Sequence, residues 1–254
     1  MMKALKNALL PTIGFAIVIA LWEIVGLRLG DSLFAPASSV FVQYMDMLRQ
    51  GTMLNELFIS LRQMLLGFSL ACVIGMPMGI AMGRSNISDA MLRPWVSIFV
   101  VTSTAALIPL LIMILGTGLA LRSTVVFLAA VWYIVLTTYN GAKGISPELL
   151  AVGRSFSANR TQIFWKIILP GLYPYLITGA RIGLIHAIRA MVMAEMFVIV
   201  GYGALINQSG MEINTSALLS LLLTLAFVSL IANALLSQWG KHLAPWYEQQ
   251  RQIL

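Results

Sequence analysis

Charge is the scarcest commodity in this chain. Only 10% of its 254 residues are Asp, Glu, Lys or Arg, whereas a soluble domain carries about a quarter. Cysteine occurs once, as Cys72 inside an apolar run, so no intramolecular disulfide can form. Histidine occurs twice, as His186 and His242, so neither a metal cluster nor a redox centre has an obvious set of ligands. No G-x-x-x-x-G-K-[ST] phosphate loop is present, so the chain lacks that means of holding a nucleotide. There is no H-E-x-x-H, no G-x-S-x-G and no paired-carboxylate pattern, which leaves an intramembrane enzyme little support.

Apolar residues fill the space, at 59% of the chain with a mean hydropathy of +0.90. That composition belongs to an integral membrane protein. The net charge of +7 is spread over loops rather than gathered on one face. It therefore reads as inside-positive loop bias, not as a nucleic-acid surface. The N-terminus, MMKALKNALLPTIGFAIVIALWEIVGL, carries a run too long for a signal-peptide core and is read as a retained first span.

A crossing needs about 20 mostly apolar residues. Six such stretches are predicted, near 9–29, 57–83, 92–116, 119–140, 172–201 and 216–238. The third is the weakest, because TSTAA at 102–106 is small and barely apolar. Turn and cap residues separate the stretches. The fold class is thus all-α: a polytopic membrane protein of about six transmembrane helices, expected as a single transmembrane domain over 1–254. Ten basic residues fall on one side: Lys3, Lys6, Arg84, Arg93, Lys143, Arg154, Arg160, Lys166, Lys241 and Arg251. Arg28, Arg49, Arg122 and, at the edge of span two, Arg62 fall on the other. Both termini and the 141–171 loop are therefore predicted cytoplasmic. The 31–56 segment is predicted outside, with a surface helix started by a Pro and Ser-Ser cap. Glu23 belongs near the outer interface.

The 141–171 loop is the informative one. Ser146, Pro147 and Glu148 are an N-cap, a first-turn proline and a first-turn acid. Leu149, Val152 and Phe156 then form one apolar stripe. Gly153 interrupts that helix at about 1 kcal/mol relative to alanine unless something approaches closely. The segment at 157–160 reads as a turn. A second helix follows, with Ile163, Phe164 and Ile167 on one side and Lys166 on the other, and Pro170 and Pro174 lead into span five. Amphipathicity alone fits a helix resting on lipid headgroups.

The order of residues adds a resemblance. VGRSFSANRTQIFWKIILPGLYPYLITGARIGL resembles the signature loop of inner-membrane permease subunits of ABC importers. That pattern is EAA, three residues, Gly, about nine residues, then I-x-LP. Aligned on Ile167, Leu169 and Pro170, the EAA falls on Ala151, Val152 and Gly153 and the later glycine on Ser157. The acid and the loop glycine are thus replaced here. LFAPASSVF at 33–41, SLRQMLLGFSLACVIGMPMGIAMG at 60–83 and GYGALI at 201–206 are also similar to the branch importing nitrate, sulfonates and taurine. The likeness extends over about 33–245, with a family-like core over about 60–245 and the loop at about 146–170. TSTAALIPLL at 102–111 departs from that branch, which has prolines near its start.

The resemblance implies a permease subunit of an ATP-driven importer in the bacterial inner membrane. It passes a small anionic solute delivered by a periplasmic binding protein. ATP would be bound by partner ATPase subunits, two of them, and a second permease copy would complete a homodimer among membrane lipids, without nucleic acid. Leu149, Val152, Gly153, Arg154, Phe156, Ser157 and Arg160 would form the ATPase-coupling loop. Gly153 would permit close approach, and Arg154 and Arg160 would lie at the rim. In span five, His186, Arg189 and Glu195 are translocation-path candidates, since ionisable groups within a span face an interior, a cavity or a partner. Arg181 reads as structural. Six spans with intramembrane charge would also fit an ion-coupled carrier or channel, which needs no docking loop.

Overall fold

The computed structural model describes residues 2–30 and 33–243, with side chains at 13–30 and 33–240. Every regular element among them is helical: α1 Met2–Leu29, α2 Ala37–Gln50, α3 Thr52–Arg84, α4 Asn86–Val101, α5 Thr104–Leu115, α6 Leu119–Lys143, α7 Pro147–Ser155, α8 Arg160–Ile163, a π-helical turn Phe164–Ile168, α9 Leu169–Val198, α10 Gly201–Met211 and α11 Thr215–Leu243. Four stretches are long and apolar enough to cross a membrane: Thr52–Arg84, Leu119–Lys143, Arg160–Val198 and Thr215–Gly240. The bent pair α4–α5 makes a fifth. The first expected span, 9–29, falls in α1, whose residues before Ile13 lie outside the described side chains.

The third expected span is not one helix. α4 stops at Val101, Thr102 and Ser103 are extended, and α5 leaves at 101°. The weakly apolar TST sequence is where the break falls, with the Thr102 hydroxyl satisfying the Ile98 carbonyl at 2.8 Å. The prolines before span five do not interrupt it either. Pro170 and Pro174 sit within a continuous helix, and the π-helical turn just before them absorbs the mismatch.

The chain divides into two compact units. The first contains residues 1–59 and 199–227. Here α2 starts at Pro36, without a side-chain cap of its own. The expected Ser-Ser cap is replaced by Glu23 of α1, whose carboxylate accepts from the Ser38 amide at 3.0 Å and the Ser38 hydroxyl at 2.7 Å. A carboxylate at a helix N-terminus answers both its free amides and its dipole. Tyr202 of α10 is fully buried and donates to the Leu221 carbonyl at 2.8 Å. Ser220 of α11 donates to the Val40 carbonyl at 2.9 Å.

The second unit contains residues 60–198 and 228–254. Its core is the α6–α9 pair, with Ala130, Ile134 and Val135 of α6 and Leu184, Ala187 and Met191 of α9 all buried. Small residues permit this. A Cβ on Gly183 would stand 2.7 Å from Ile134 Cγ1. Along α3, Gly67, Gly75, Gly79 and Gly83 each abut α6, where a Cβ would meet Val126, Ile134, Val135 or Ala142. Lipid gives helices no hydrophobic reason to associate, so close backbone approach supplies packing instead. Arg181 donates to Asn233 at 2.9 Å, in keeping with a structural role.

Candidate functional site: a docking loop and a membrane cavity

Ser146 caps α7 as its sequence implies, accepting from the Leu149 amide at 3.3 Å. Its hydroxyl and the Glu148 backbone amide hold the Glu148 carboxyl below the usual glutamate range, with the amide the larger influence. Leu150 is buried together with Ala142, Ile168 and Leu172, and Ile80, Ile145, Ile163, Phe164 and Ile167 pack around them. This small core fixes the loop to the ends of α3, α6 and α9. The expected stripe faces away from it: Leu149 and Val152 are 55% exposed and Phe156 is 82% exposed.

Gly153 plays a different part from the expected one. It is buried, and a Cβ there would meet Ile167 Cδ1 at 2.6 Å. Its small size lets α7 lie on the α8–α9 segment, not another surface on α7. Arg154 lies on another side of α7. It follows Gly153 and precedes Phe156 by two residues, which is 200° of helical rotation, so it lies about 160° from Phe156. It lines a cleft of about 490 Å³ with Arg84, Arg160, Leu150, Ala158, Ile163 and Ile168.

The predicted turn is real and carries backbone strain. Ser157 has φ +55°, a left-handed conformation that glycine adopts freely and other residues rarely do. It stands where the signature pattern has glycine. The Ala158 amide reaches back to the Gly153 carbonyl at 3.2 Å, closing α7. Asn159 and Gln162 then form a reciprocal capping box that starts α8.

The span-five candidates separate. His186 and Arg189, neighbours at i and i+3, both line a cavity of about 220 Å³. Its wall includes Thr102, Ser103 and Thr104 at the α4–α5 break. His186 stacks on Tyr133 with ring centroids 3.7 Å apart, and Phe99 stacks on Trp132 at 4.6 Å. No acidic residue lines this cavity. The first turn of α5 opens onto it, and helix N-termini favour negative charge. Glu195 is not in the lining. It is 1% exposed and lies six residues beyond Arg189, about 120° around the helix. The threonine–serine wall was missed in the sequence, although its low hydropathy had marked the spot.

At the foot of α4, Asp89 Oδ2 accepts from Arg93 at 3.1 Å and from the Tyr139 hydroxyl at 3.2 Å, with Lys143 Nζ 3.9 Å away. Lys143 donates to Tyr139 at 2.8 Å, and Arg93 also donates to that hydroxyl. Nothing in the sequence signals that these groups meet, because the Asp89–Arg93 and Tyr139–Lys143 pairs are about 50 residues apart.

Membrane-length helices, one pair of them bent beside a cavity, and a short helical loop presenting apolar residues outward make this an all-helical, polytopic membrane protein. The family model for the binding-protein-dependent transport system inner membrane component matches residues 71–249, and the chain belongs to that family. It is an ABC-type importer permease. A probable ABC transporter permease protein of Brucella abortus (strain 2308) is 29% identical over 241 residues, covering 94% of this chain and 96% of its own. The taurine transport system permease protein TauC of Escherichia coli (strain K12) is 27% identical, covering 89% and 85%. The nitrate import permease protein NrtB of Synechocystis sp. is 28% identical, covering 87% and 82%. In fold, the chain is similar to a chain of the MetNI methionine ABC transporter in an inward-facing form. The TM-score is 0.63 at 21% identity, over 78% of this chain and 96% of that one.

Proposed function

We propose that this chain is the permease of an ATP-driven importer for a small anionic solute, of the nitrate, taurine or sulfonate kind, delivered by a periplasmic binding protein. Two copies pair in the bacterial inner membrane, each with an ATPase subunit seated on its α7–α8 loop. The observation that carries this reading is the stripe Leu149, Val152 and Phe156. It is exposed although the loop has a core of its own. A loop that merely connected two spans through water would have no need to turn Phe156 outward. The relatives named for taurine and nitrate transport support an anionic solute. So does a cavity holding Arg189, the four hydroxyl residues Thr102, Ser103, Thr104 and Tyr133, and a helix N-terminus without a single acid.

The loop and both termini face the cytoplasm in this reading, on the strength of the basic-residue count. Of those residues, Lys3, Lys6, Lys241 and Arg251 lie outside the described side chains.

The test is co-purification with a candidate ATPase and binding protein, followed by reconstitution. ATP hydrolysis should rise when binding protein loaded with its anion is added. Failure to capture an ATPase, together with uptake driven by an ion gradient alone, would replace the proposal with a secondary carrier. Topology is checked separately by a cysteine at position 157 in a Cys72→Ser background. Its modification by an impermeant reagent from outside the cell would invert the assignment.

A further inference from the structure

The cleft behind the coupling loop has no place in the transport reading. Arg84, Arg154 and Arg160 line it together, Leu150, Ile163 and Ile168 form its apolar wall, and no acid contributes. None of the three arginines is ion-paired with a described residue. Three guanidinium groups gathered without a counter-charge repel one another, so the arrangement asks for an anion. Arginine forks suit phosphate or carboxylate oxygens.

The direction of the cleft separates those two. On α7, Arg154 is about 160° from Phe156, so the cleft opens on the flank opposite the exposed stripe. Arg84 is the last residue of α3, a membrane-length helix. Counted at 100° per residue, Leu66, Val73, Arg84 and the intervening helical Pro77 fall within about 40° of one another. Leu66 and Val73 are exposed apolar side chains, at 48% and 69%. The cleft therefore stands at the foot of an apolar, outward-facing strip of a span. A molecule with a phosphate head and acyl tails matches both parts.

We propose that Arg84, Arg154 and Arg160 bind the phosphodiester headgroup of an anionic phospholipid, whose chains run up the Leu66–Val73 face of α3. The lipid ties the α7–α8 turn to the end of α3 and acts as a clip behind the docking surface. Basic pockets at cytoplasmic helix ends are known to suit such headgroups, and each basic residue near an anionic surface contributes on the order of fivefold in binding.

The experiment uses the purified full-length permease in detergent, exchanged against equal phosphatidylglycerol and phosphatidylcholine, with retained lipid counted by native mass spectrometry. Wild type should keep phosphatidylglycerol in preference to phosphatidylcholine. Arg84→Gln, which lies outside the loop, should lower that preference on the order of fivefold, and the triple Arg84→Gln, Arg154→Gln, Arg160→Gln on the order of a hundredfold. Arg122→Gln, at the other end of the spans, should leave it unchanged. Gel-filtration profiles identify any variant that fails to fold, and the single Arg84→Gln then carries the result. Equal retention of both lipids by wild type, or an undiminished preference in Arg84→Gln and the triple, would overturn the proposal. ATPase pull-down by the same variants distinguishes the other anion. Lost ATPase with unchanged lipid preference would give the cleft to a carboxylate of the ATPase and would also overturn it.

Discussion

Phe156→Asp isolates the docking surface from the fold. Phe156 is 82% exposed and contributes nothing to the small core of Leu150, Ile168 and Leu172. Replacing it should therefore leave the loop and the spans intact, because surface changes are usually within about 0.5 kcal/mol. In the complex the same ring would be covered. Full burial of a large apolar side chain is worth about 1.5–3 kcal/mol, and roughly four fifths of that remains available here. The loss is then about 1.2–2.4 kcal/mol, or roughly 8- to 60-fold in ATPase affinity. A carboxylate placed in an apolar groove adds its own desolvation cost, so the lower figure is a floor. The assay titrates the ATPase onto permease in nanodiscs, with membrane insertion measured in parallel. Phe156→Leu keeps apolar area and should recover most of the affinity. Unchanged affinity in Phe156→Asp, with normal insertion, would refute docking through this stripe. Gly153 offers no comparable test, since any side chain there first meets Ile167.

Two further outcomes follow from the same geometry. Ser157→Gly should stabilise the α7–α8 turn, because a left-handed residue with a Cβ costs roughly 1–2 kcal/mol more than glycine. Slower amide exchange at Ala158 and Asn159, with ATPase affinity unchanged, is the expected reading, and faster exchange would contradict it. Glu195→Gln should reduce transport at equal expression, since an acid buried to 1% exposure within a span is costly to keep without a purpose. Wild-type transport in that variant would make Glu195 a passive packing residue.

Local signals survived the passage from sequence to structure, and distant ones did not. Ser146, Pro147 and Glu148 start α7 as their chemistry dictates, because a helix cap is decided within four residues. The glycines of α3 at 75, 79 and 83 recur every fourth residue, a helix-packing signal that was present but unread, and they set how closely α6 approaches. Composition marked 102–106 as the weakest part of an expected single span, and neither the break there nor its 101° turn was read from it. Arg154 and Arg160 were legible as basic residues of the loop. Their convergence with Arg84 was not, for it requires the end of α3 to lie beside the α7–α8 turn, and no periodicity encodes that. Glu23 was read only as an acid near the end of a span, and its service as the cap of another helix needed the fold.

The remaining question is how a push on the loop reaches the cavity. The loop core includes Ala142 of α6 and Leu172 of α9, and these two helices form the closest-packed pair of the second unit. They should move as one body, because tightly packed interiors transmit displacement instead of absorbing it. α4 is attached to that body at its foot through Asp89, Arg93, Tyr139 and Lys143. Its other end is the extended Thr102–Ser103 link, which lines the cavity beside Arg189. Motion of the loop would therefore arrive at the break in the third span through Asp89. The side chains of Arg93 and Lys143 are 54% and 58% exposed, so each ion pair is worth about 0.2–1 kcal/mol after solvent screening. That is too little to unfold the protein and enough to loosen one attachment. Asp89→Asn should keep ATPase binding and ATP hydrolysis while lowering solute transported per ATP in proteoliposomes, and Asp89→Glu should restore part of that ratio. A ratio unchanged in Asp89→Asn would show that α4 follows α6 without this cluster, and the link from loop to cavity would have to run through α9 and His186 instead.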